Sequence, residues 1–380
     1  MNILITADNY KPQINGIVTY VINLRRELEK RGHKVTLLTT DFPNSIDEDG
    51  VIRLPSVGLP TRPFERIPLI WGSRLINKLR HKKFDVVHNQ TFVTGFLGTK
   101  IAKEQNIPNI VTYHTPFDQY VHRFIPGLEK PLGPFIEFLV KYYFNKFDKV
   151  IIPSAKTLKS LSKIKTKPQL IHNGIDLDFF KNSKSDKFLK EFNVDPKKPL
   201  ILIAGLLDRG KNFEIAVDCM TEVTKQIPNA LLIVAGGGTM KKHIKKQVIE
   251  LGLENNVLMT GFVAKEMIAS ANKAANVCLM ISVVDNLPTV ALEAVASGKA
   301  LIAIDDICTK DIVYDKKNGL LIEPNAQELS QAIIKLLKNP KMYEEYGKNS
   351  LVIAQKFSIK TYTDKIEKIY EEEIAHHRNS

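Results

Sequence analysis

The stretch NVCLMISVVDNLPTVALEAVASGKALIAID, residues 276–305, decides the fold class of this chain. It opens with an apolar, β-rich run, continues through a turn at Pro288 into a segment with helical spacing, and closes on a second apolar run. A strand, a helix and another strand in this order form a βαβ unit, which predicts a parallel sheet. Two acids, Asp285 and Glu293, lie on either side of the predicted helix start near Thr289.

The same alternation of short apolar runs and longer helical segments extends over almost the whole chain of 380 residues, a length that fits two ordinary domains. The predicted strands are NILITA, KVTLLTT, FDVVHN, PNIVTYH and DKVIIPS, followed by LILIAG, NALLIVAGG, NVLMTGF, NVCLMIS and KALIAID. We therefore predict an α/β fold of two doubly wound, Rossmann-like domains, residues 1–175 and 176–357. A C-terminal helix, residues 358–380, is expected to pack back on the first domain, and the lysine-rich residues 181–199 are interpreted as a linker region.

The charge of the chain is unevenly distributed. The net charge is +13, and residues 1–170 contain 26 Lys and Arg against 14 Asp and Glu. A basic first half indicates an anionic partner, either nucleic acid or an anionic membrane surface, unless the whole proteome is lysine-rich. The sequence has neither the pattern of a groove-reading helix nor that of an aromatic stacking sheet, so we expect no nucleic-acid partner.

Residues 62–84 are the candidate membrane-facing segment, with seven Lys and Arg and one acid. Trp71, Leu75 and Leu79 recur every four residues there, which is typical of a basic amphipathic helix on an anionic bilayer, but also of a helix packed on a sheet. The apolar runs are too short to span a membrane, and the N-terminus lacks the pattern of a signal peptide. We therefore expect a cytoplasmic protein that associates peripherally with the inner face of the cell membrane.

Two loops after predicted strands are candidate phosphate sites, because open parallel sheets bind ligands at the carboxyl ends of their strands. In ADNYKPQINGIVTY, Gly16 precedes a helix and allows backbone N–H groups to approach a phosphate, although this motif alone fits an ordinary loop glycine better. In AGLLDRGKNFEIAV, Arg209 and Lys211 flank a helix start, which suits a multiply charged anion, although surface cations are common.

The loop around Asp285 is the third candidate. The N–H groups of the first helical turn, near Pro288, Thr289 and Val290, would point at a ligand in front of the helix, and a rise of about 1.5 Å per residue places Asp285 and Glu293 roughly 10 Å apart. Carboxylates repel phosphate but accept hydrogen bonds from sugar hydroxyls, so the order acid, helix start, acid fits a nucleotide sugar. An N-cap aspartate followed by an exposed helical glutamate is the alternative.

Nine motifs occur in the order found in retaining glycosyltransferases of family 4, and the chain resembles that family over nearly its whole length. They are PQINGIVTYVINL, FDVVHNQTFVTGFLG, VTYHTPFDQYVH, VIIPSAKT, HNGIDLDFF, AGLLDRGKN, LLIVAGGG, TGFV and DNLPTVALEAVASGKALIA. The resemblance implies the GT-B fold, in which two Rossmann-like domains face each other across a cleft. It also implies hexose transfer from a nucleotide sugar without a metal or another cofactor.

The resemblance further implies a role for each candidate residue. His114, Lys211, Asp285 and Glu293 form the implied catalytic set: His114 and Asp285 would contact the hexose, Lys211 the diphosphate and Glu293 the ribose. The implied substrate-binding residues are Gly16 at the diphosphate or sugar, the backbone near Phe262 and Val263 at the base, and Asp118 on the acceptor side. Arg209 and the helix start at Pro288, Thr289 and Val290 would meet the phosphates, and Asn286 and Leu287 before that helix would also bind the substrate.

Two positions depart from the pattern of the family. The first acid of the family's E-x7-E motif is Asp285, which is one methylene shorter than glutamate. The arginine of the family's GRLxxxKN motif is replaced by Leu206, and Arg209 is the candidate substitute for its charge. A nucleotide-sugar-binding scaffold without turnover is therefore an open alternative.

Within the family, VTYHTPFDQYVHRF is most similar to bacterial glucosyltransferases that act on diacylglycerol. We therefore predict transfer of glucose from UDP-glucose, with GDP-mannose as the second donor, to a membrane lipid such as diacylglycerol. Transfer of mannose or another hexose to phosphatidylinositol, to a polyisoprenoid-linked sugar or to a polysaccharide precursor is the alternative. The acids of the DLD triplet, Asp176 and Asp178, are not expected to bind a metal.

Overall fold

The computed structural model describes residues 1–13, 15–59, 62–69, 77, 79–114, 129–161 and 164–379. The chain divides into two compact units: unit 1 comprises Met1–Gly174 together with Ile359–Ser380, and unit 2 comprises Ile175–Ser358. Each unit contains a parallel sheet covered by helices, of seven strands in unit 1 and six in unit 2. The predicted α/β class with two parallel sheets is therefore confirmed.

Unit 1 is built on a parallel sheet with the strand order β3-β2-β1-β6-β7-β8-β9. Its strands are β1 (Asn2–Ala7), β2 (Lys34–Thr40), β3 (Val51–Leu54), β6 (Val86–Asn89), β7 (Asn109–Thr112), β8 (Lys149–Ile152) and β9 (Gln169–Leu170), and a separate antiparallel hairpin is formed by β4 (Ser56–Leu59) and β5 (Arg62–Pro68). Its helices are α1 (Gly16–Lys30), α2 (Val93–Gln105), α3 (Glu129–Phe144), a 3-10 helix (Ala155–Leu161) and the C-terminal helix (Ile359–Asn379).

The C-terminal helix packs on unit 1 through one apolar face. Tyr362, Ile366, Ile369 and Tyr370 are buried in the cluster that also contains the inner side chains of β1 and α1. Their spacing of three and four residues places them on one side of a helix, so that the charged residues between them face outward. This packing makes the last residues of the chain part of its first structural unit.

The basic segment 62–84 is only partly described. Its first residues form β5, paired with β4, and Trp71 and Leu75 lie outside the described residues. Leu79 is fully buried in a cluster with β1, β2 and α2. The burial of Leu79 agrees with the interpretation of an apolar side chain packed on the sheet. In the described part of the chain, no helix combines the length and the apolar character needed to cross a membrane.

Unit 2 is built on a parallel sheet with the strand order β12-β11-β10-β13-β14-β15. Its strands are β10 (Leu200–Ala204), β11 (Leu231–Ala235), β12 (Val257–Gly261), β13 (Val277–Met280), β14 (Ala300–Ile304) and β15 (Gly319–Ile322). Its helices are α4 (Leu177–Lys181), α5 (Asp186–Glu191), α6 (Phe213–Gln226), α7 (Lys241–Glu250), α8 (Lys265–Ala274), α9 (Thr289–Ala296), α10 (Ile307–Lys310), α11 (Ala326–Leu337), α12 (Pro340–Ala354) and a 3-10 helix (Gln355–Phe357).

The strand order of unit 2 fixes where a ligand can bind. From β10 the chain proceeds to β11 and β12 on one side, and then returns to β13 on the other side of β10. The loops after β10 and β13 therefore leave the sheet in opposite directions and open a crevice at its carboxyl edge. These two loops contain most of the phosphate-binding candidates identified in the sequence.

The lysine-rich residues 181–199 do not form a linker. They contain α5, and Phe188 within it is fully buried in a core cluster of unit 2. The backbone N of Phe188 donates to Ser270 Oγ on α8 at 2.9 Å. The polar composition reflects the outer face of a short amphipathic helix, since only the apolar side chains of α5 face the core. The chain passes from unit 1 to unit 2 earlier, between Gly174 and Ile175.

Candidate functional site

Lys211 and Asp285 form an ion pair at the crevice of unit 2, although they are 74 residues apart in the sequence. Lys211 lies in the loop after β10 and donates from its Nζ to Oδ1 of Asp285, which lies in the loop after β13. Both side chains are partly exposed. The fold thus brings together a cation and an acid that the sequence analysis had assigned to separate loops.

Hydrogen bonds to the main chain hold these two loops together. Asn212 Nδ2 donates to the carbonyl oxygen of Ile281 at 2.8 Å, and the backbone N of Val283 donates to the carbonyl oxygen of Gly210 at 3.0 Å. Asn212 has a φ of 59°, a left-handed conformation that asparagine adopts more readily than most residues. The position of the ion pair is therefore set by the backbone of both loops.

Three consecutive glycines after β11, Gly236 to Gly238, bring a third loop against the loop after β10. The backbone N of Leu207 donates to the carbonyl oxygen of Gly237 at 2.9 Å. A Cβ on Gly236 would lie 1.8 Å from the carbonyl oxygen of Gly205, and Gly236 has a φ of 148°, which side chains disfavour. The role of these glycines was not predicted from the sequence, although a run of glycines directly after a strand indicates a close backbone approach.

Gly236→Ala is expected to destabilise unit 2 by roughly 2 kcal/mol, because the added Cβ meets a backbone oxygen that cannot move away alone. Chemical denaturation of the purified protein measures this loss. Gly252→Ala is the matched control, since Gly252 also has a positive φ, of 65°, but a Cβ there meets no atom within 4 Å. If both variants lose the same stability, the loss at Gly236 comes from its positive φ and not from the close approach of the Gly205 carbonyl oxygen.

The start of α9 is oriented to bind an anion. Pro288 is the N-cap residue and makes no side-chain capping bond, so the N–H groups of the first turn, beginning with Thr289 and Val290, form the positive end of the helix dipole. Leu287 packs against the core of unit 2, and Asn286 is partly buried. The loop is thereby anchored immediately before the helix start.

Glu293 lies one turn inside α9 and is partly buried. Burial raises the pKa of its carboxyl from 4.5 to about 7, and the positive charge of Lys265 opposes this shift only in part. A carboxylate in such an environment gains strongly from hydroxyl groups that donate to it. Glu293 can therefore hold a diol, and its protonation state changes near neutral pH.

Three further candidates of unit 2 lie at the surface near these loops. Phe262 is exposed, and its ring lies over Gly237, where an added Cβ would come within 2.7 Å of the ring. Val263 is partly exposed, and Arg209 is exposed. Leu206, at the position of the family's arginine, is exposed and contributes no charge.

In unit 1, His114 follows β7 and is held by two neighbours. Its Nε2 lies 2.9 Å from Oε1 of Gln90, and its ring packs edge-on against the ring of Tyr20, with 4.7 Å between the ring centroids. Burial lowers the pKa of His114 to about 3, so its imidazole is neutral at physiological pH. Gln90 and Tyr20 were not identified from the sequence, although Gln90 directly follows a buried strand, which was a usable signal.

His114 lines a pocket at the carboxyl edge of the sheet in unit 1 that has room for about one water molecule. Its walls are mainly apolar and aromatic and include Ile17, Phe92, Tyr113, Tyr143 and Phe144. Gly16, the first residue of α1, is exposed. Asp118, the acceptor-side candidate, lies outside the described residues.

Asp8, directly after β1, is a buried acid with a structural function. Its carboxylate accepts hydrogen bonds from the backbone N of Thr94 at 2.7 Å, from Thr94 Oγ1 at 2.8 Å and from the backbone N of Val93 at 3.1 Å. Burial raises the pKa of Asp8, and these hydrogen bonds partly offset the rise. The carboxylate therefore caps the start of α2 and fixes the edge of the sheet near the pocket.

The acids of the DLD triplet stabilise a helix. Asp176 Oδ1 accepts a hydrogen bond from the backbone N of Phe179 at 3.1 Å and so caps α4, and Asp178 lies in the first turn of that helix. Over the described ranges, no group of three or more His, Cys, Asp or Glu side chains is arranged to hold a metal ion.

Comparison with protein families accounts for most of both units. The model of glycosyltransferase family 4 matches residues 14–179, and that of glycosyl transferases group 1 matches residues 184–352. An alpha-monoglucosyldiacylglycerol synthase of Streptococcus pneumoniae is 31% identical over 356 residues, which are 90% of this chain and 80% of that protein. The synthase of the same name from Acholeplasma laidlawii is 27% identical over 97% of this chain and 96% of its own.

Solved structures show the same fold. The protein HepE of Anabaena, determined in complex with UDP and glucose, superposes with a TM-score of 0.77 over 98% of this chain and 100% of its own, at 19% identity. A sucrose-phosphate synthase of Thermosynechococcus elongatus gives a TM-score of 0.78 over 99% of both chains, at 23% identity. The predicted GT-B fold is thereby confirmed, and the family models together with the relative at 31% identity confirm the predicted enzyme class. The chain is a glycosyltransferase and belongs to family 4 of these enzymes.

Proposed function

We propose that this glycosyltransferase transfers glucose from UDP-glucose to a hydroxyl group of diacylglycerol or a similar membrane lipid, with retention at the anomeric carbon and without a metal. The ion pair of Lys211 and Asp285 beside the start of α9 is the observation that carries the donor part. The acceptor part is supported by relatives that are named for a glucosylated diacylglycerol.

The loops of unit 2 provide complementary groups for each part of a nucleotide sugar. Lys211 supplies a positive charge and α9 supplies N–H groups for the diphosphate, while the acids Asp285 and Glu293 accept hydrogen bonds from hexose and ribose hydroxyls. The exposed ring of Phe262 offers a surface for the base. Because Lys211 already contacts Asp285, the bound diphosphate would share this cation with the carboxylate that holds the hexose.

The transfer forms a bond between the acceptor oxygen and the anomeric carbon, and breaks the bond between that carbon and the phosphate oxygen. The electron pair passes to the leaving diphosphate, and the acceptor proton follows it on the same face, as the family resemblance implies. Lys211 and the α9 N–H groups stabilise the charge that develops on the diphosphate. His114, neutral because it is buried, would contact a hexose hydroxyl without adding charge.

The acceptor is proposed to be reached from the membrane surface. Residues 1–170 have a surplus of Lys and Arg over acids, 26 against 14. A cationic surface binds the anionic headgroups of a bilayer. We therefore propose a peripheral enzyme at the inner face of the cell membrane.

A donor panel tests this function. Purified protein is incubated with UDP-glucose, UDP-galactose or GDP-mannose and with diacylglycerol vesicles, and the lipid is analysed by mass spectrometry. We expect a hexose-sized mass increase with UDP-glucose, unchanged by a chelator. If hexose is transferred only from GDP-mannose, the proposed donor is wrong. If the donor is hydrolysed and no lipid product forms, the proposed acceptor is wrong.

A mannosyl transfer is the second candidate, because a GDP-mannose-dependent alpha-mannosyltransferase of Mycobacterium tuberculosis is 25% identical over 93% of this chain. A third candidate is a scaffold that binds the nucleotide sugar without turnover, because the exposed Leu206 replaces the arginine of the family's motif and supplies no positive charge. Binding of UDP-glucose by calorimetry, together with neither transfer nor hydrolysis of any donor, would favour the scaffold.

A further inference from the structure

Unit 1 exposes four aromatic side chains on α2 and α3, which together form a surface that we name the aromatic patch. Phe96 on α2 is 43% exposed, and Phe135, Phe138 and Tyr142 on α3 are 58%, 61% and 54% exposed. Large aromatic side chains that remain this exposed are unfavourable in water, and several of them together mark an interaction surface.

The members of the aromatic patch adjoin one another. Lys146 Nζ lies 4.0 Å from the ring centroid of Tyr142 and 5.9 Å from that of Phe96, which connects the two helices. The rings of Phe138 and Tyr142 are nearly parallel, at 14°, with centroids 6.3 Å apart. Phe135, Phe138 and Tyr142 follow each other at spacings of three and four residues, and so lie along one side of α3.

The charges around the aromatic patch are mainly positive. Lys100, Lys141 and Lys146 are exposed beside its aromatic residues, while the exposed Glu137 offsets one of these charges. Aromatic rings flanked by lysines suit the interface of a bilayer, where the rings enter the headgroup region and the lysines contact anionic headgroups. A soluble protein partner would not require this excess of one charge.

We propose that the aromatic patch is the surface through which this enzyme docks on an anionic membrane, rather than the basic segment 62–84 that the sequence suggested. The proposal rests on the proposed function, since a lipid acceptor requires the enzyme to reach a bilayer. It adds the location of the contact, which neither the sequence nor the family comparison supplies.

The helix α3 contributes side chains both to the aromatic patch and to the pocket beside His114. One side of this helix carries Phe138 and Tyr142 of the patch, while Tyr143 and Phe144 on the adjoining side line the pocket beside His114. The rings of Phe96 and Tyr143 are in edge-on contact, 4.9 Å apart. The aromatic patch and the residues around His114 are therefore in direct contact through these two rings.

Vesicle binding without any donor or acceptor tests the docking surface separately from catalysis. Phe138→Ser/Tyr142→Ser is expected to bind phosphatidylglycerol–phosphatidylcholine vesicles about a hundredfold more weakly in co-sedimentation, about tenfold for each aromatic side chain. Phe138→Trp/Tyr142→Trp should bind at least as tightly as the wild type, because tryptophan favours the interface. Lys141→Ser/Lys146→Ser should weaken binding about twentyfold on anionic vesicles and leave binding to pure phosphatidylcholine unchanged.

Val352→Ser is the matched control, because Val352 is 72% exposed on α12 of unit 2, away from the patch in the chain. Transfer to a water-soluble, short-chain diacylglycerol should be unchanged in the Phe138→Ser/Tyr142→Ser variant, which shows that its active site is intact. If that variant binds vesicles as tightly as the wild type does, the docking proposal is wrong. It is also wrong if the wild type sediments as a dimer and the variant as a monomer, because the aromatic patch would then bind a second copy of the chain. If the wild-type protein binds vesicles but transfers no hexose to any lipid, the proposed function is wrong while the docking proposal stands.

Discussion

Lys211→Ala is expected to lower kcat for hexose transfer by about a thousandfold, the loss that follows when one preorganised charge at the developing anion is removed. In the structure Lys211 pairs with Asp285 in the loop that leads into α9, and the diphosphate is proposed to lie at the start of that helix. The variant also removes the ion pair of Asp285 with Lys211, so this carboxylate would repel the donor more strongly than in the wild type. Steady-state kinetics with UDP-glucose and diacylglycerol, read as kcat and KM separately, measures both effects.

A second substitution separates the two effects of that variant. Lys211→Ala/Asp285→Asn removes the repulsion, so KM for the donor should partly recover while kcat remains low. Lys225→Ala is the control, because Lys225 forms an exposed pair with Glu222 on the same unit. If Lys211→Ala keeps more than about a tenth of the wild-type kcat while Arg209→Ala loses most of it, Arg209 and not Lys211 neutralises the diphosphate.

Glu293→Gln is expected to stabilise unit 2 and at the same time to weaken donor binding. The pKa of Glu293 rises from 4.5 in an exposed carboxyl to about 7 in the folded protein. Below about pH 4 the carboxyl is protonated in the folded and in the unfolded state, so its burial does not affect stability. Above about pH 7 it is charged in both states, and burying the charge lowers the free energy of unfolding by about 3 kcal/mol. The neutral amide avoids this cost, so the variant should gain about 3 kcal/mol at pH 8 and nothing near pH 4.

Donor binding should respond in the opposite direction. Ribose hydroxyls donate to a carboxylate more strongly than to an amide, so calorimetry should show UDP-glucose binding about tenfold to a hundredfold more weakly in Glu293→Gln at pH 8. In the wild type the affinity should fall as pH decreases below about 7, since the carboxyl must release its proton to accept the diol. If the stability of the wild type and that of Glu293→Gln change with pH in the same way, and their donor affinities do too, then the pKa of Glu293 is not raised by burial.

The hydrophobic pattern predicted the two sheets and the loops at their carboxyl edges, because strands buried on both faces leave long apolar runs. It also placed Asp285 and Glu293 around a helix start, where the structure has them on either side of Thr289. It did not predict that Lys211 contacts Asp285, since that requires the order of β10 and β13 in the sheet. Pairing between strands distant in sequence leaves no local signal.

The helix α5 and the neighbours of His114 could not be predicted from the sequence, each for a different physical reason. The helix α5 was interpreted as a linker because its six residues are mostly polar, and only the burial of Phe188 identifies it as part of the core. The neighbours of His114, Gln90 and Tyr20, come from two other elements of unit 1. The roles proposed for the site residues remain predictions, which the variants above test.

The C-terminal helix returns to unit 1, where the hydroxyl of Tyr362 contacts that of Tyr20, and Tyr370 bonds to His88 Nδ1 at 2.6 Å. Tyr20 in turn packs on His114. During synthesis, the whole segment of unit 2 is therefore made before Ile359–Asn379, whereas unit 1 lacks one of its helices until those residues follow. A chain that stopped before Ile359 would lose support behind His114 while keeping every element of unit 2.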